Sequence, residues 1–421
     1  MKILWLVNIA LPEASLLMNE KPSPFGGWLV NASFKLASIS GVNLYIAFPK
    51  SGLSDVLQLQ GERINYYSFP PVHEKDIASN RINPHLIKIL EKANPDIVHI
   101  FGTEYPHTLA MVNTCDVSKV VISIQGLCSI IAKHYLSGIP SNIQRRFTFR
   151  DLIKQDSLLQ QQSKFLKRGS LEIEAIQKVQ HIIGRTTWDR ACTYQINPDA
   201  IYHHCNETLR DEFYKHEWDI QKCEKHSIFV SQGSYPIKGL HYMLEAMPLV
   251  LKNFPDAKLY VGGSNITKSD TFKDKLKLTS YGKYIKDLIK KYDLGNNVFF
   301  TGVLDEKQMC QQYLRSHVFV CPSSIENSPN SLGEAMILGV PCVASDVGGV
   351  SDMMKHNEDG FIYQTNAPYM LAYYVGVIFK NKDLALQISK IAREHALKTH
   401  NPHENLCRLL NIYKKIYNNS F

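Results

Sequence analysis

The sequence predicts an α/β protein made of two doubly wound domains, each built on a mostly parallel sheet. Its 421 residues are enough for two domains of ordinary size. An apolar content of 44% and a charged content of 20% are typical of a globular protein. Short apolar runs alternate with helix-like segments in both halves of the chain, as strand–helix–strand units require. We therefore expect ligands to bind at loops that follow the carboxyl ends of the strands.

The first half of the chain contains five such apolar runs. They predict strands at Lys2–Val7, Val42–Phe48, Ile64–Phe69, Asp96–Phe101 and Val120–Ile124. A helix is predicted at Leu29–Ile39, and Arg145–Gln180 is helical in composition throughout. The first run could also belong to a weak signal peptide. Asn8 interrupts it and no small-residue cleavage site follows, which favours a strand.

Polar side chains follow the buried strands of this half. His99 lies inside a strand, where we expect a core histidine, whereas His107 follows a polar loop and is expected to be exposed at the ligand-binding edge. Arg185 follows a further strand and either faces the site or pairs with an acid. Residues Asn197–Tyr214 have no clean period.

The second half begins with the apolar run SIFVSQG at Ser227. Further strands are predicted at Ala257–Val261, Val298–Thr301, His317–Cys321 and Pro341–Ser345, and helices at Ser331–Leu338 and Asn405–Tyr417. We divide the chain into a first domain at 1–206, a linker at 207–226, a second domain at 227–400 and a final helix at 401–421.

The stretch from Pro322 to Asp346 carries the clearest functional signal. Glu326 lies in a polar loop after a strand, and Glu334 lies seven residues further on, within the following helix. A carboxylate accepts two hydrogen bonds side by side, so each can hold neighbouring hydroxyls of a sugar or a ribose. Two plainer alternatives remain open. Glu334 and Ser331 also fit a helix capping box, and Glu326 could simply be solvated.

This stretch resembles the signature of the family 4 retaining glycosyltransferases (glycosyl transferases group 1), through E-x7-E followed by EAMILGVPCVASDVGG. The similarity is close from Ser227 to Tyr363 and looser elsewhere. The resemblance implies the GT-B fold, in which two Rossmann-like domains face each other across a cleft and the last helix returns to the first domain. It also implies that Glu326 lies against the donor sugar, that Glu334 binds the ribose hydroxyls and that Lys238 meets the donor diphosphate.

Three positions of the second domain carry further implications of the resemblance. Pro329 stands where the family usually has glycine, and because proline has no N–H to donate, phosphate contacts would fall to Asn330 and Ser331. Ser234 stands where the family often has an arginine that contacts phosphate. Gly302 follows a strand at the place where relatives seat the nucleobase.

The first domain matches the family less fully. Gly26 and Gly27 resemble the glycine-rich turn that follows the first strand, where small residues let the backbone approach phosphate or acceptor. Gln125 occupies the place where the family often has a histidine near the reacting sugar. Glutamine can hydrogen-bond a hydroxyl but cannot act as a base. Whether Gln125 replaces that histidine or His107 takes its place stays open.

The resemblance implies retaining transfer of a sugar from a UDP- or GDP-sugar to a glycan or lipid-linked acceptor, as in surface polysaccharide biosynthesis. It implies no cofactor and no metal, and the chain has no D-x-D pair that would hold one. One alternative is another GT-B enzyme, such as a sugar-nucleotide epimerase, which would isomerise the donor without an acceptor. The other is a degenerate GT-B subunit that only binds, a reading favoured by the departures at Gln125, Ser234 and Pro329.

Charge and cysteine usage bear on location and partners. The net charge is +8, and eight basic residues stand against two acidic ones between Lys133 and Arg168. Such a stretch predicts either peripheral contact with an anionic membrane or a solvated helix face, and because it matches no nucleic-acid motif it does not indicate nucleic acid. Nine cysteines without a C-x-x-C pair predict a reducing compartment and no zinc site, so we expect a cytoplasmic protein, at the inner face of the membrane if that contact forms.

Overall fold

The computed structural model describes residues 1–23, 26–73 and 83–419 and contains two parallel sheets flanked by helices. The strands are β1 (Lys2–Leu6), β2 (Asn43–Pro49), β3 (Leu57–Gln60), β4 (Ile64–Phe69), β5 (Ile97–Phe101), β6 (Val120–Ser123), β7 (His181–Gly184), β8 (Ile201–His204), β9 (Glu224–Val230), β10 (Lys258–Val261), β11 (Val298–Phe300), β12 (Ser316–Cys321), β13 (Cys342–Ser345) and β14 (Phe361–Tyr363).

The helices of the first half are α1 (Pro12–Leu17), α2 (Gly27–Ala37), α3 (Pro84–Ala93), α4 (Pro106–Val112), α5 (Cys128–His134), α6 (Ser141–Gln144), α7 (Phe149–Lys154), α8 (Leu158–Lys178) and α9 (Thr187–Ile196). Those of the second half are α10 (Asp211–Tyr214), α11 (Leu240–Leu251), α12 (Phe272–Lys277), α13 (Ser280–Lys291), α14 (Glu306–Arg315), α15 (Asn330–Leu338), α16 (Val350–Met353), α17 (Pro368–Lys380), α18 (Lys382–Thr399) and α19 (Pro402–Asn419). No helix among the described residues is both long and apolar enough to cross a membrane.

The two sheets have the strand orders of doubly wound domains. The first is β3-β4-β2-β1-β5-β6-β7-β8, parallel except for the pairing of β3 with β4. The second is β11-β10-β9-β12-β13-β14 and is parallel throughout. In both, the chain order reverses beside a central strand, which places ligand-binding loops at that switch point. The predicted α/β class with two parallel sheets is confirmed.

The chain divides into two compact units. The first contains Met1–Ile130, Leu166–Leu209 and His400–Phe421, and the second contains Ile131–Phe165 and Arg210–Thr399. Residues 131–165 thus group with the second unit, whereas the sequence analysis placed them in the first domain. The reason lies in contacts within the second unit, where His241 bonds the Ser137 carbonyl and Ser280 donates its backbone N–H to Asp151.

The core of the first unit includes α19. Tyr413 on this helix is fully buried; its hydroxyl accepts a hydrogen bond from Trp5 Nε1 at 2.9 Å and lies 2.5 Å from His99 Nδ1. The other ring nitrogen of His99 lies 2.6 Å from Ser123 Oγ. Burial lowers the pKa of His99 to about 3, so the ring is neutral at physiological pH. His99 is therefore the satisfied core histidine that its place in a strand predicts.

Two features of the secondary structure differ from the prediction. The segment Arg145–Gln180 is not one helix, because Thr148 caps the start of α7 and Gln155, with φ of 48°, ends it before α8 begins. The edge strand β8 lies in the stretch without a clean period. Its residues are exposed or half-buried, with Ile201 49% exposed, so no apolar alternation marks it.

Candidate active site

Lys238 and Glu326 meet in the second unit. Lys238 ends a short turn after β9, and Glu326 lies in the loop between β12 and α15. Lys238 Nζ is 2.5 Å from Glu326 Oε1, and Ser323 Oγ donates to the same oxygen at 2.7 Å. Burial lowers the pKa of Lys238, but the Glu326 carboxylate and other neighbouring groups together raise it above its usual value, so the lysine is charged. The pair is a half-buried cation and carboxylate at the carboxyl end of the sheet.

Two glycines allow the loops of this pair to come close together. A Cβ on Gly239, whose φ is +68°, would lie 1.8 Å from the Pro322 carbonyl oxygen. A Cβ on Gly348, whose φ is +53°, would lie 1.7 Å from the Glu326 carbonyl oxygen. Any larger residue would push these loops apart. The Lys-Gly pair and the Gly348-Gly349 turn of the sequence therefore have a steric role beside the charged pair.

Glu334 is held by a residue that the sequence analysis did not predict. Arg210 donates from Nε to Glu334 Oε1 at 2.7 Å and from Nη2 to Oε2 at 2.8 Å, so the two groups form a forked pair. The Arg210 side chain is 13% exposed and the Glu334 side chain is buried, at 8%. Burial raises the pKa of Glu334, and the charge of Arg210 opposes that shift. The capping-box alternative is wrong, because Pro329 is the N-cap of α15 and no side chain caps it.

The other predicted donor-site residues surround the start of α15 and the ends of β9 and β11. Asn330 and Ser331 are the first two residues of α15, and Tyr313 fixes this end by donating to the Ser331 carbonyl at 2.9 Å. Ser234 is exposed in the turn after β9. Gly302, with φ of +80°, follows β11 and pairs with Gly263 across a short bridge. These residues thus lie on three of the loops that follow the parallel strands.

Gln125 lines a pocket within the first unit. Three aromatic rings form one wall, with centroids 4.7 Å apart for Trp5 and Phe101 and 5.5 Å apart for Trp28 and Phe101. Residues of α2 and α19 complete the apolar lining, including Ala32 and Leu406. The pocket is therefore mainly apolar, with polar groups on the side where β6, β7 and β8 end.

The polar side of this pocket is a chain of three groups. Gln125 Nε2 donates to Glu207 Oε1 at 2.8 Å, and Arg185 Nη1 lies 2.7 Å from Glu207 Oε2. Arg185 is 5% exposed and also donates to the Ile124 carbonyl at 3.3 Å. The sequence analysis predicted that Arg185 either faces the site or pairs with an acid. It pairs with Glu207, and its side chain also lines this pocket. Glu207 was assigned to the linker, and the sequence analysis did not predict that it lines this pocket.

The glycine turn begins α2, and the second histidine has different surroundings from those expected. Gly26, with φ of +75°, is the N-cap of α2, and Gly27 is its first residue. Neither glycine lines the pocket, but the helix that they begin contributes Trp28 to it. His107 is 3% exposed and its Nε2 lies 2.8 Å from Asn8 Oδ1. The expectation that His107 is exposed is therefore wrong.

A buried carboxylate fixes the loop that follows Gln125. Glu172 on α8 is 1% exposed and accepts hydrogen bonds from the backbone N–H groups of Cys128 and Ser129, at 2.8 and 3.0 Å. The hydroxyls of Ser129 and Thr103 also donate to it, each at 2.6 Å. Glu172 thus anchors the start of α5. Its place within a long helical segment gave no sign of this in the sequence.

The chain is similar to glycosyltransferases in sequence and in fold. Residues 211–395 match the family described as glycosyl transferases group 1. An uncharacterized glycosyltransferase of Methanocaldococcus jannaschii is 26% identical over 195 residues, which are 46% of this chain and 46% of that relative. The chain thus spans about half the length of the curated relatives it matches.

Solved structures match over nearly the whole chain. Sucrose-phosphate synthase from Thermosynechococcus elongatus superposes with a TM-score of 0.70 at 16% identity, over 99% of both chains. Anabaena HepE in complex with UDP and glucose superposes with a TM-score of 0.66 at 13% identity, over 98% of this chain and 99% of that one. The predicted GT-B fold is therefore confirmed. Membership of family 4 stays a prediction.

Proposed function

We propose that the protein is a retaining glycosyltransferase that transfers a sugar from a UDP- or GDP-sugar to a glycan or lipid-linked acceptor. The match to glycosyl transferases group 1 supports the transferase class, and it spans the residues from Asp211 that form the candidate donor site. We further propose that the protein acts in surface polysaccharide biosynthesis and that it belongs to family 4 of the retaining glycosyltransferases. The reaction uses no metal in this proposal.

The observation that carries the proposal is the pairing of Lys238 with Glu326 at 2.5 Å. A nucleotide diphosphate would be repelled by a lone carboxylate, since two unit charges 4 Å apart interact by about 4 kcal/mol at an effective dielectric constant of 20. Lys238 offsets that charge, and in this proposal it contacts the diphosphate when the donor binds. Glu326 can then accept hydrogen bonds from the donor sugar without excluding the phosphates.

The nucleoside half of the donor is assigned to Glu334. Its forked pair with Arg210 favours the ionised form of the carboxylate and fixes its orientation. Two lone-pair directions of a carboxylate stay available after such a pairing, which is enough for two neighbouring ribose hydroxyls. The uridine class of donor is supported by HepE, which was solved with UDP and glucose. The backbone of Asn330 and Ser331 at the start of α15 would face the phosphates.

The acceptor is assigned to the aromatic pocket of the first unit. A sugar ring has apolar C–H faces that pack on aromatic rings and hydroxyl edges that need polar partners. Trp28 and Phe101 offer the first kind of surface, and the Gln125–Glu207–Arg185 chain offers the second. Gln125 has no basic nitrogen, so its role is to orient an acceptor hydroxyl.

The reaction follows from these assignments. The acceptor oxygen forms a bond to the anomeric carbon on the same face from which the leaving group departs. At the same time, the bond from that carbon to the donor phosphate oxygen breaks. The acceptor proton passes to the leaving phosphate oxygen, so no protein base is needed and a glutamine at position 125 is compatible with turnover. Configuration at the anomeric carbon is retained.

The test is product analysis with a panel of nucleotide sugars and glycan or lipid-linked acceptors. We expect release of one nucleoside diphosphate and, by NMR, a glycosidic bond with the anomeric configuration of the donor. Glu326→Gln should lower turnover by at least about tenfold. Glu358→Gln, which changes an exposed glutamate on the same unit, should not. Inversion, isomerisation of the donor alone, or normal turnover in Glu326→Gln would contradict the proposal.

A further inference from the structure

The second unit exposes an apolar surface formed by α7 and α12, which pack against each other. Phe149, Leu152 and Ile153 of α7 are 56%, 64% and 63% exposed, and they lie at positions i, i+3 and i+4 of one helix face. Phe272, the first residue of α12, is 76% exposed, and Phe147 just before α7 is 49% exposed. We call these five residues the apolar patch. Large side chains clustered in this way mark an interaction surface.

The orientation of α7 is fixed by its opposite face. Asp151 is fully buried and its Oδ2 accepts hydrogen bonds from the backbone N–H groups of Thr148 and Ser280, at 3.0 and 3.1 Å, and from the Ser280 hydroxyl. The helix thus buries its carboxylate and exposes its apolar residues, the reverse of an ordinary surface helix. Because Asp151 is anchored to the start of α13, rotation of the helix to bury the patch would leave an unpaired carboxylate.

Exposed basic side chains lie in the same two segments as the patch. Residues 145–154 contain four basic residues and one acidic residue, and residues 268–277 contain four and two. Lys154, Lys273 and Lys275 are exposed, and no carboxylate in the described part of the chain pairs with them. A surface that combines protruding aromatic and aliphatic side chains with exposed lysines is suited to binding a bilayer that carries anionic headgroups.

The basic stretch by itself does not carry this conclusion. Arg146 pairs with Asp287 at 2.6 Å, and Arg150 and Lys164 both pair with Asp156. Arg146, Arg150 and Lys164 are thus already paired with carboxylates within the protein. The conclusion rests instead on the combination of the apolar patch with the lysines of α12. These lysines lie more than a hundred residues after α7 in the sequence.

We propose that the apolar patch inserts into the interface of an anionic membrane, with the exposed lysines of α7 and α12 contacting the lipid headgroups. The proposal does not depend on the proposed transferase activity. It explains why a helix of six residues exposes three large apolar side chains while it buries an aspartate. A protein partner or a second copy of the chain are the competing occupants, and the surrounding positive charge favours lipid over both.

The test is flotation of the purified protein with phosphatidylcholine vesicles and with equimolar phosphatidylcholine and phosphatidylglycerol vesicles. We expect binding to the anionic vesicles, weakening as salt rises, and little binding to the neutral ones. The triple variant Phe149→Ser, Leu152→Ser, Ile153→Ser should bind at least about tenfold more weakly. Its melting temperature should stay near that of the wild type, since these side chains are exposed.

Matched controls separate the patch from general surface hydrophobicity. Tyr369→Ser and Leu249→Ser change side chains of the same unit that are 61% and 45% exposed, and neither should alter vesicle binding. Lys154→Glu with Lys275→Glu should weaken binding to anionic vesicles alone. The proposal is overturned if the wild type does not float with anionic vesicles, or if the triple variant floats equally well. Sedimentation velocity showing a wild-type dimer that the triple variant lacks, without vesicle binding, would assign the patch to a second copy instead.

Discussion

Arg210 offers the sharpest perturbation of the candidate donor site. Arg210→Ala would leave the Glu334 carboxylate, 8% exposed, without its forked partner. Removing one member of a buried and hydrogen-bonded charge pair lowers the free energy of unfolding by about 3–5 kcal/mol. Burial already raises the pKa of Glu334, so the variant would also favour a protonated carboxyl. A neutral carboxyl is a weaker acceptor for ribose hydroxyls, and a loss of about 1.4 kcal/mol there corresponds to tenfold weaker nucleotide binding.

The assay is urea denaturation at neutral pH, together with nucleotide titration of each folded variant. Arg315→Ala is the matched control. Arg315 is also paired with a glutamate, Glu224 at 2.8 Å, but its side chain is 55% exposed. Exposed pairs contribute about 0–1 kcal/mol, so this variant should stay close to the wild type in stability and in nucleotide affinity. The difference in free energy of unfolding between the two variants then measures how much the burial of the ion pair contributes.

A double-mutant cycle with Glu334→Gln distinguishes pairing from packing. If Arg210 acts through Glu334, the double variant should be more stable than Arg210→Ala alone, because no uncompensated buried carboxylate remains. The reasoning fails if Arg210→Ala is within about 1 kcal/mol of Arg315→Ala. It also fails if Arg210→Ala is destabilised but binds nucleotide as tightly as the wild type, which would separate Arg210 from the ligand role of Glu334.

Two further predictions concern stability. Gly239→Ala should destabilise the second unit and reduce activity, because its Cβ would lie 1.8 Å from the Pro322 oxygen. Gly263→Ala, with φ of +95° and open space around it, isolates the backbone strain and should cost about 1–3 kcal/mol in urea denaturation, less than Gly239→Ala. Burial raises the pKa of Glu104 from 4.5 to about 7, so its stabilising effect is complete below pH 4.5 and is lost as pH rises through 7. Glu104→Gln should match the wild type near pH 4 and exceed its stability by up to about 3 kcal/mol at pH 8; equal melting curves at both values would contradict this.

Buried parallel strands were predictable because their apolar runs are continuous. β4 spans the predicted residues Ile64–Phe69, and β12 and β13 differ from prediction by one residue at their starts. β8 was not predictable, since Ile201 is exposed and the strand has no alternation. The break between α7 and α8 falls at Gln155, whose φ of 48° has no marker in the composition of the segment, so composition alone favoured one long helix.

The charged residues of the candidate sites could be predicted from the sequence only in part. Glu326 and Glu334 stand in a recognisable pattern, and Lys238 precedes a glycine in another. Arg210 and Glu207 have no such marker, because each lies in an aperiodic stretch and finds its partner through the fold. Arg210 is 124 residues from Glu334, and Glu207 is 82 residues from Gln125. Partners at such separations are fixed by sheet topology, which a local pattern does not contain.

The most direct test of the central claim is a thermal-shift titration of wild type and Glu334→Gln with UDP, GDP, ADP and CMP, with and without EDTA. A nucleotide at about 100 times its Kd adds about 2.7 kcal/mol of stability, which is visible as a higher melting temperature. The account predicts that UDP or GDP stabilises the wild type, that EDTA does not change this, and that Glu334→Gln weakens the effect at least about tenfold in nucleotide concentration. No stabilisation by any nucleotide, or the same response in Glu334→Gln, would contradict it.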